Sequence, residues 1–199
     1  MRELINDPFY EMIRNYDRCI IDYCLMENDA PCYGESSHKT AVLFAMLKTI
    51  ERYLKEFSED EIKMDKEVGL FEWNLDIGKA KGTKIDPNSF LKIPKILSVD
   101  YYGNRNYDCR WPDPDKDEQI PYWYAFLETP HTSGYTPEVF REVNASLFPE
   151  GTDELEVYEW TTDWSNYFDD GHEWWGTACW SVYDQKMNRY VVILASATD

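Results

Sequence analysis

The sequence predicts an α+β fold in which helices come early in the chain and a mainly antiparallel sheet follows. Apolar residues recur at spacings of three and four near the N-terminus, which is the repeat of an amphipathic helix. Aromatic and β-branched segments dominate the second half, and the last two are separated by a short polar turn. We therefore expect a single domain over 1–199, with the N-terminal helices packed on one face of the sheet.

The first two predicted helices begin at capping residues. Asp7 precedes Pro8, which is the arrangement of an N-cap followed by proline at the first helical position. The apolar spacing continues from there, so we expect this helix to end near Glu27. Ser37 is the expected N-cap of the second helix, whose apolar face continues to Phe57.

The remaining segments favour strands, with one more helix among them. Thr136 followed by Pro137 predicts a short helix to about Leu147, which Pro149 stops. The predicted strands are 68–78, 90–103, 122–128, 154–161, 176–184 and 189–197. The last two of these are expected to form a hairpin. The apolar run at 191–195 predicts a strand that is buried on both faces.

The net charge of −18, from 38 acidic and 20 basic residues, favours a cationic partner. A charge of this size repels phosphate backbones and anionic lipids, so we expect neither nucleic acid nor a membrane surface as a partner. The imbalance is concentrated in residues 101–199, which carry 19 acids and 6 bases. This distribution predicts a basic protein as the partner.

The cysteines and the N-terminus indicate a cytoplasmic protein. The five cysteines form no Cys-x-x-Cys pair, and their odd number argues against a disulfide framework. The N-terminal residues contain no apolar segment of the signal-peptide kind, and no apolar run approaches the roughly 20 residues needed to span a bilayer. We expect reduced thiols and a cytoplasmic location.

The most distinctive segment lies between Arg141 and Lys186 and is here called the acidic window. It contains eleven acids, ten aromatic residues and no lysine or arginine. Exposed ion pairs contribute only about 0–1 kcal/mol each, whereas tryptophan adds apolar area and a π face for a cation. We therefore predict a partner-binding surface formed by Glu159, Trp160, Asp163, Trp164, Asp169, Asp170, His172, Glu173, Trp174 and Trp175.

A structural role for the same tryptophans is the alternative interpretation, because tryptophan in a strand usually belongs to the core. An extended segment at 154–160 places Glu154, Glu156, Tyr158 and Trp160 on one face. Acids and aromatic residues share that face, so the alternation does not separate core from solvent. On sequence alone, both interpretations stay open.

Patterns for catalysis and metal binding are incomplete. His172 lies among three carboxylates in sequence, so a small hydrolase that uses His172 with a neighbouring carboxylate is an alternative function. The segment 113–118 begins like a calcium loop but lacks the glycine and glutamate that such a loop requires. The segment 78–84 is similar to a phosphate-binding loop without its Gly-Lys-Ser/Thr ending. We expect no cofactor and no metal site.

In size, charge and the sequence DDGHEWWG at 169–176, the chain resembles the small acidic immunity proteins of bacteria, which neutralise toxins that are often basic nucleases. The C-terminal segment 191–199 adds a general likeness. The resemblance implies a basic protein partner, such as a toxin. It carries no residue roles, because no motif diagnostic of an immunity family is present. A third alternative is a homodimer in which the acidic window of one copy contacts the basic cluster of the other, namely Lys79, Lys81, Lys84, Lys92 and Lys95. Contact of this cluster with the acidic window within one copy is equally open on sequence alone.

Overall fold

The computed structural model describes residues 1–56, 73–110, 119–130, 134–172 and 175–197. These residues contain the strands β1 (Arg2–Glu3), β2 (Ile21–Glu27), β3 (Gly82–Ile85), β4 (Ile96–Val99), β5 (Arg105–Tyr107), β6 (Leu155–Trp160), β7 (Thr177–Asp184) and β8 (Arg189–Ser196). Their helices are α1 (Pro8–Ile13), α2 (Glu35–Glu56), α3 (Pro87–Phe90), α4 (Tyr122–Leu127), α5 (Pro137–Leu147) and α6 (Asp169–His172).

Six of the strands form one antiparallel sheet in the order β1–β2–β8–β7–β6–β3, and β4 pairs with β5 in a separate two-stranded sheet. The predicted α+β class with a mainly antiparallel sheet is confirmed. The predicted C-terminal hairpin is the pair β7 and β8, joined in register from Thr177 opposite Ser196 to Asp184 opposite Arg189.

The central strand β8 separates two hydrophobic cores. Val191, Ile193 and Ala195 face the core that contains α1, α4 and α5, whereas Val192 and Leu194 face the core beneath α2. All five side chains are buried. The prediction that this apolar run forms a strand buried on both faces is therefore confirmed.

The two N-terminal helices lie on opposite faces of the sheet. Phe9 of α1 packs in the same core as Phe140 of α5, whereas Val42 and Met46 of α2 pack in the other core. The prediction that both helices cover one face is wrong. The physical reason is that strands which are apolar on both sides need a cover on each side.

The segment 21–27 is a strand instead of the end of a helix. Helix α1 begins after its N-cap Asp7 as predicted but ends at Ile13. β2 then pairs with β8 along its full length, from Ile21 opposite Ala195 onward. Pairing with a distant strand outweighs the local helical spacing, which is a weak preference on its own.

The segment 122–128 shows the opposite difference, because it forms helix α4 instead of a strand. The helix begins after Pro121, and its residues Phe126 and Leu127 are fully buried. A short, continuous apolar run fits a buried helix as well as a buried strand, so its hydrophobic pattern does not decide between them.

Helix α2 begins at Glu35, so the prediction that Ser37 is its N-cap is wrong. The Gly34 carbonyl accepts from the N–H groups of Ser37 and His38, which starts the helix three residues earlier than expected.

The other predicted elements fall into three groups. Helix α5 and strand β6 agree with the sequence predictions within one residue at each end. The predicted strand 90–103 contains β4, which begins after Pro94. Residues 68–72 lie outside the described residues, and 73–78 contain one isolated bridge, from Leu75 to Ser165.

The five cysteines are free thiols. Cys24 and Cys179 are buried between α2 and the sheet, and burial raises the pKa of Cys24 to about 12. Both therefore pack as small apolar side chains. No helix within the described ranges combines the length and apolar character needed to cross a membrane.

Candidate functional site

Three of the four tryptophans predicted at the surface are buried. The exposed fraction is 0% for Trp160, 2% for Trp164 and 7% for Trp175. Each indole N–H donates a hydrogen bond to an internal oxygen, at 2.6–2.8 Å. The prediction that these indole rings are displayed beside the carboxylates is wrong, because the rings are desolvated and their polar atoms are satisfied inside the protein. Glu173 and Trp174 lie outside the described residues.

The carboxylates of the same segment lie at the surface. Asp163, Asp169 and Asp170 are exposed, as is His172, whereas Glu159 is half-buried. Within the described ranges, none of the three aspartates forms an ion pair with a lysine or arginine. These three aspartates are here called the acidic patch. Lys79 lines a small cleft together with Asp163 and Asp169, and Lys81 lines another with Asp163, but neither lysine forms an ion pair with these aspartates.

Buried aromatic rings hold the chain that carries the acidic patch. The 3₁₀ helix Asn166–Phe168 leads directly into α6. Within it, the Tyr167 hydroxyl donates to Asp22 at 2.6 Å, and the Phe168 ring meets Trp164 edge-on with centroids 5.4 Å apart. Trp164, Tyr167 and Phe168 therefore pack inside the protein beneath the segment that carries the carboxylates.

A cleft of about 670 Å³, here called the Glu159 cleft, borders the acidic patch. Its ionisable and hydroxyl side chains are Glu159, Asp163, Lys81, His172, Thr83, Thr161, Thr162 and Thr177. The imidazole Nε2 of His172 lies 3.1 Å from the Thr162 hydroxyl, which is 2.9 Å from the Thr177 hydroxyl. No carboxylate of a described residue hydrogen-bonds to His172. The histidine–carboxylate pair that a hydrolase would use is therefore not formed within the described ranges.

The basic cluster is divided between different parts of the surface. Lys84 donates to Glu156 at 2.9 Å, and Lys79 lies 3.6 Å from Asp76. Lys92 and Lys95 line a separate cleft of about 680 Å³, together with Arg141. The homodimer therefore stays a prediction, and the cluster that it would use is not one continuous patch.

A buried polar network beneath α2 was missed by the sequence analysis. The Ser181 hydroxyl lies 2.8 Å from His38 Nδ1, and His38 Nε2 lies 3.4 Å from a Glu156 carboxylate oxygen. Trp160 donates its indole N–H to the same serine oxygen at 2.8 Å. This pattern fits a neutral His38 whose Nδ1 accepts a hydrogen bond from the Ser181 hydroxyl and whose Nε2–H donates one to Glu156. Lys84 then donates to the other Glu156 oxygen and completes the network.

The Ser–His–Glu order of this network is that of a hydrolase triad, but its environment is structural. His38 and Ser181 are fully buried, so no substrate reaches the hydroxyl. Burial lowers the pKa of His38 to about 4, against the opposing effect of the Glu156 carboxylate. Burial alone would raise the pKa of Glu156, but the hydrogen bonds from Lys84 and the Gly34 N–H hold that pKa below its ordinary value. The network links α2 to β3, β6 and β7 through hydrogen bonds.

The protein is expected to lose roughly 3 kcal/mol of stability as the pH falls from 6.5 to 4, because of His38. Over this range the unfolded chain binds a proton at His38 and the folded chain does not, so acid favours unfolding. Urea unfolding at several pH values in this range measures how steeply the free energy of unfolding falls with pH. His38→Gln is expected to make this dependence on pH less steep, and His172→Gln, at an exposed histidine, is the matched control. An unchanged slope in His38→Gln would contradict the assignment.

The signals for this network were present in the sequence only as isolated polar residues. His38 and Ser181 are 143 positions apart, and neither stands in a recognisable motif. Their relation depends on the pairing of β6 with β7 and on the packing of α2 over both strands. Comparison of the chain with protein families, with curated proteins and with solved structures finds no match in any of the three.

Proposed function

We propose that the chain binds a basic partner protein through the acidic patch, as the immunity proteins that it resembles do with toxins. The observation that carries this proposal is the exposure of Asp163, Asp169 and Asp170 without an ion pair to a described lysine or arginine. Groups of like charge are costly to hold together, and a cationic surface would relieve the repulsion. A basic partner therefore gains from this surface, while an anionic one is repelled.

The electrostatics of the whole chain support rapid association. A net charge of −18 attracts a basic protein over distances of about a Debye length, which raises the association rate at low salt. Exposed ion pairs contribute only about 0–1 kcal/mol each, so the complex needs several of them together. We expect binding that weakens steadily as the salt concentration increases.

Charge reversal of the acidic patch, by Asp163→Lys, Asp169→Lys and Asp170→Lys together, is expected to weaken partner binding by roughly 100-fold, since three favourable contacts become repulsive. Partners are first captured from the native host at low ionic strength and identified. The strongest basic candidate is then purified, and its Kd is measured for each variant by calorimetry over a salt series.

The matched control is Glu150→Lys, Asp153→Lys and Glu154→Lys together. These exposed residues precede β6, whereas the acidic patch follows it, so the two sets lie at opposite ends of this strand. The net charge changes equally in both variants. Similar losses in the two would show that total charge governs binding, and no loss in either would contradict the proposal.

A small hydrolase that uses His172 is the second candidate, and the observation that favours it is the position of His172 in the Glu159 cleft. A catalytic histidine needs a group within hydrogen-bond reach to orient it, and here Thr162 supplies that contact. Turnover of ester, amide or glycoside probes that His172→Gln abolishes would support this candidate. Turnover that survives His172→Gln, or no turnover by the native chain, would count against it.

A further inference from the structure

Glu159 is a partly desolvated carboxylate at the wall of a cleft. It lies near the end of β6, with Thr83 of β3 and Trp180 of β7 as its strand neighbours. One carboxylate oxygen accepts the indole N–H of Trp180 at 3.2 Å, and that ring is 1% exposed. The adjoining volume of about 670 Å³ falls within the range of roughly 300–1,000 Å³ that is typical of ligand sites.

The charge of Glu159 is not balanced by its described neighbours. It forms no ion pair with a lysine or arginine of the described ranges, and Trp180 gives it a single neutral donor. Burial raises the pKa of Glu159, and the Trp180 hydrogen bond only partly opposes this. A desolvated carboxylate is costly unless a cation or several donors satisfy it. The cleft therefore offers an acceptor that a bound cation would stabilise.

The rest of the cleft favours a cation with several donors. Its ionisable lining has two carboxylates, Glu159 and Asp163, against one lysine, Lys81, with His172 as the remaining ionisable group. Lys81 is exposed, so its ammonium group can move toward solvent when a second cation enters. Hydroxyl groups of threonine supply further acceptors along the wall. An anionic ligand would find fewer favourable contacts.

We propose that the Glu159 cleft binds the guanidinium group of an arginine side chain, with Glu159 as its counter-ion, and that this arginine comes from the basic partner. Guanidinium is planar and carries five donors in a fork that matches one carboxylate and flanking hydroxyl oxygens. It is also less strongly hydrated than the ammonium group of lysine, so it enters a partly desolvated cleft at lower cost. The source of the arginine rests on the proposed function, whereas the guanidinium site itself does not.

The test uses a small probe on the full chain. Nα-acetyl-arginine methylamide is titrated into isotopically labelled protein, and the indole N–H resonance of Trp180 is followed by NMR, because this group donates to Glu159. The neutral citrulline derivative has the same shape without the charge, and the lysine derivative has the charge without the fork. We expect saturable shifts of the Trp180 signal with the arginine derivative, and binding at least about tenfold weaker for the other two.

Glu159→Gln is expected to weaken binding of the arginine derivative by about tenfold or more, because a charge-assisted hydrogen bond becomes a neutral one. Glutamine keeps the size of the side chain and can still accept from Trp180, so the fold is preserved. The exposed Glu154→Gln is the matched control and should bind as the native chain does. Equal affinity for the arginine and citrulline derivatives, or no effect of Glu159→Gln, would overturn the guanidinium site without any need for the partner.

Partner binding separates this inference from the proposed function. If the acidic-patch variant loses the partner while Glu159→Gln changes neither partner nor probe affinity, the proposed function stands and the guanidinium site fails. If the arginine derivative binds through Glu159 and no basic protein binds the chain, the site stands and the partner assignment fails. A partner whose affinity falls about tenfold in Glu159→Gln supports both.

Discussion

Trp160→Ala is expected to lower the free energy of unfolding by about 3–5 kcal/mol. The ring is fully buried between α2 and the sheet, and its N–H donates to Ser181. It packs so closely on Gly82 that a Cβ at that position would come within 2.9 Å of the ring. Neighbours matched this tightly cannot collapse into the space that alanine leaves. Urea unfolding near neutral pH measures the loss.

Trp160→Phe separates packing from partner binding. Phenylalanine keeps much of the buried area but removes the donor to Ser181, so we expect a loss of about 1–3 kcal/mol. Binding of the basic partner to the folded variant should stay as in the native chain, because the ring does not reach the surface. A variant with native stability and weakened binding would instead show that Trp160 contacts the partner directly.

For Trp160, the sequence predicts which residues share its face of the strand but not whether that face is buried. The alternation in 154–160 correctly puts Glu156, Tyr158 and Trp160 on one face, and that face packs against α2. The identity of the face could not be read from the strand itself, because a buried glutamate looks the same as a solvated one. Its partners, His38 and Lys84, are supplied by α2 and by β3.

The elements that were predicted correctly are those whose signals are local. Helix α5 begins at a proline and has an apolar face of its own, and β7 and β8 are joined by a short polar turn. β2 was missed because its partner β8 is more than 160 positions away in the sequence. Helix α4 was missed because its buried run has no polar face to reveal its period.

For the candidate site, the charge was predictable and the geometry was not. The absence of lysine and arginine from the acidic window indicated that any neutralising cation comes from elsewhere in the fold or from a partner. Lys84 supplies one for Glu156, whereas the acidic patch is exposed and forms no ion pair with a described lysine or arginine. The Glu159 cleft depends on β3 pairing with β6 and on the turn that returns to β7. Neither the volume of this cleft nor the desolvation of Glu159 has a signal in the local sequence.

Arg189→Met is expected to lower the free energy of unfolding by about 3–5 kcal/mol, because it leaves the half-buried Asp7 carboxylate and the carbonyl of the buried Leu147 without their donor. Arg189 is 3% exposed and donates to the Asp7 carboxylate at 3.1 Å and to the carbonyl of Leu147. Asp7 is the N-cap of α1, and Leu147 is the last residue of α5. One guanidinium therefore joins β8 to the ends of two helices that cover the same face.

A double-mutant cycle measures the coupling energy between Arg189 and Asp7. Asp7→Asn keeps an N-capping side chain but removes the charge, so its own cost reports mainly on the pairing with Arg189. We expect the two changes to be non-additive by roughly 0.5–3 kcal/mol, the range for residues in direct contact. Arg189→Lys should recover only part of the loss, because an ammonium group lacks the fork that reaches two acceptors. A cost below about 1 kcal/mol for Arg189→Met would mean that apolar packing alone holds α1 and α5 against β8.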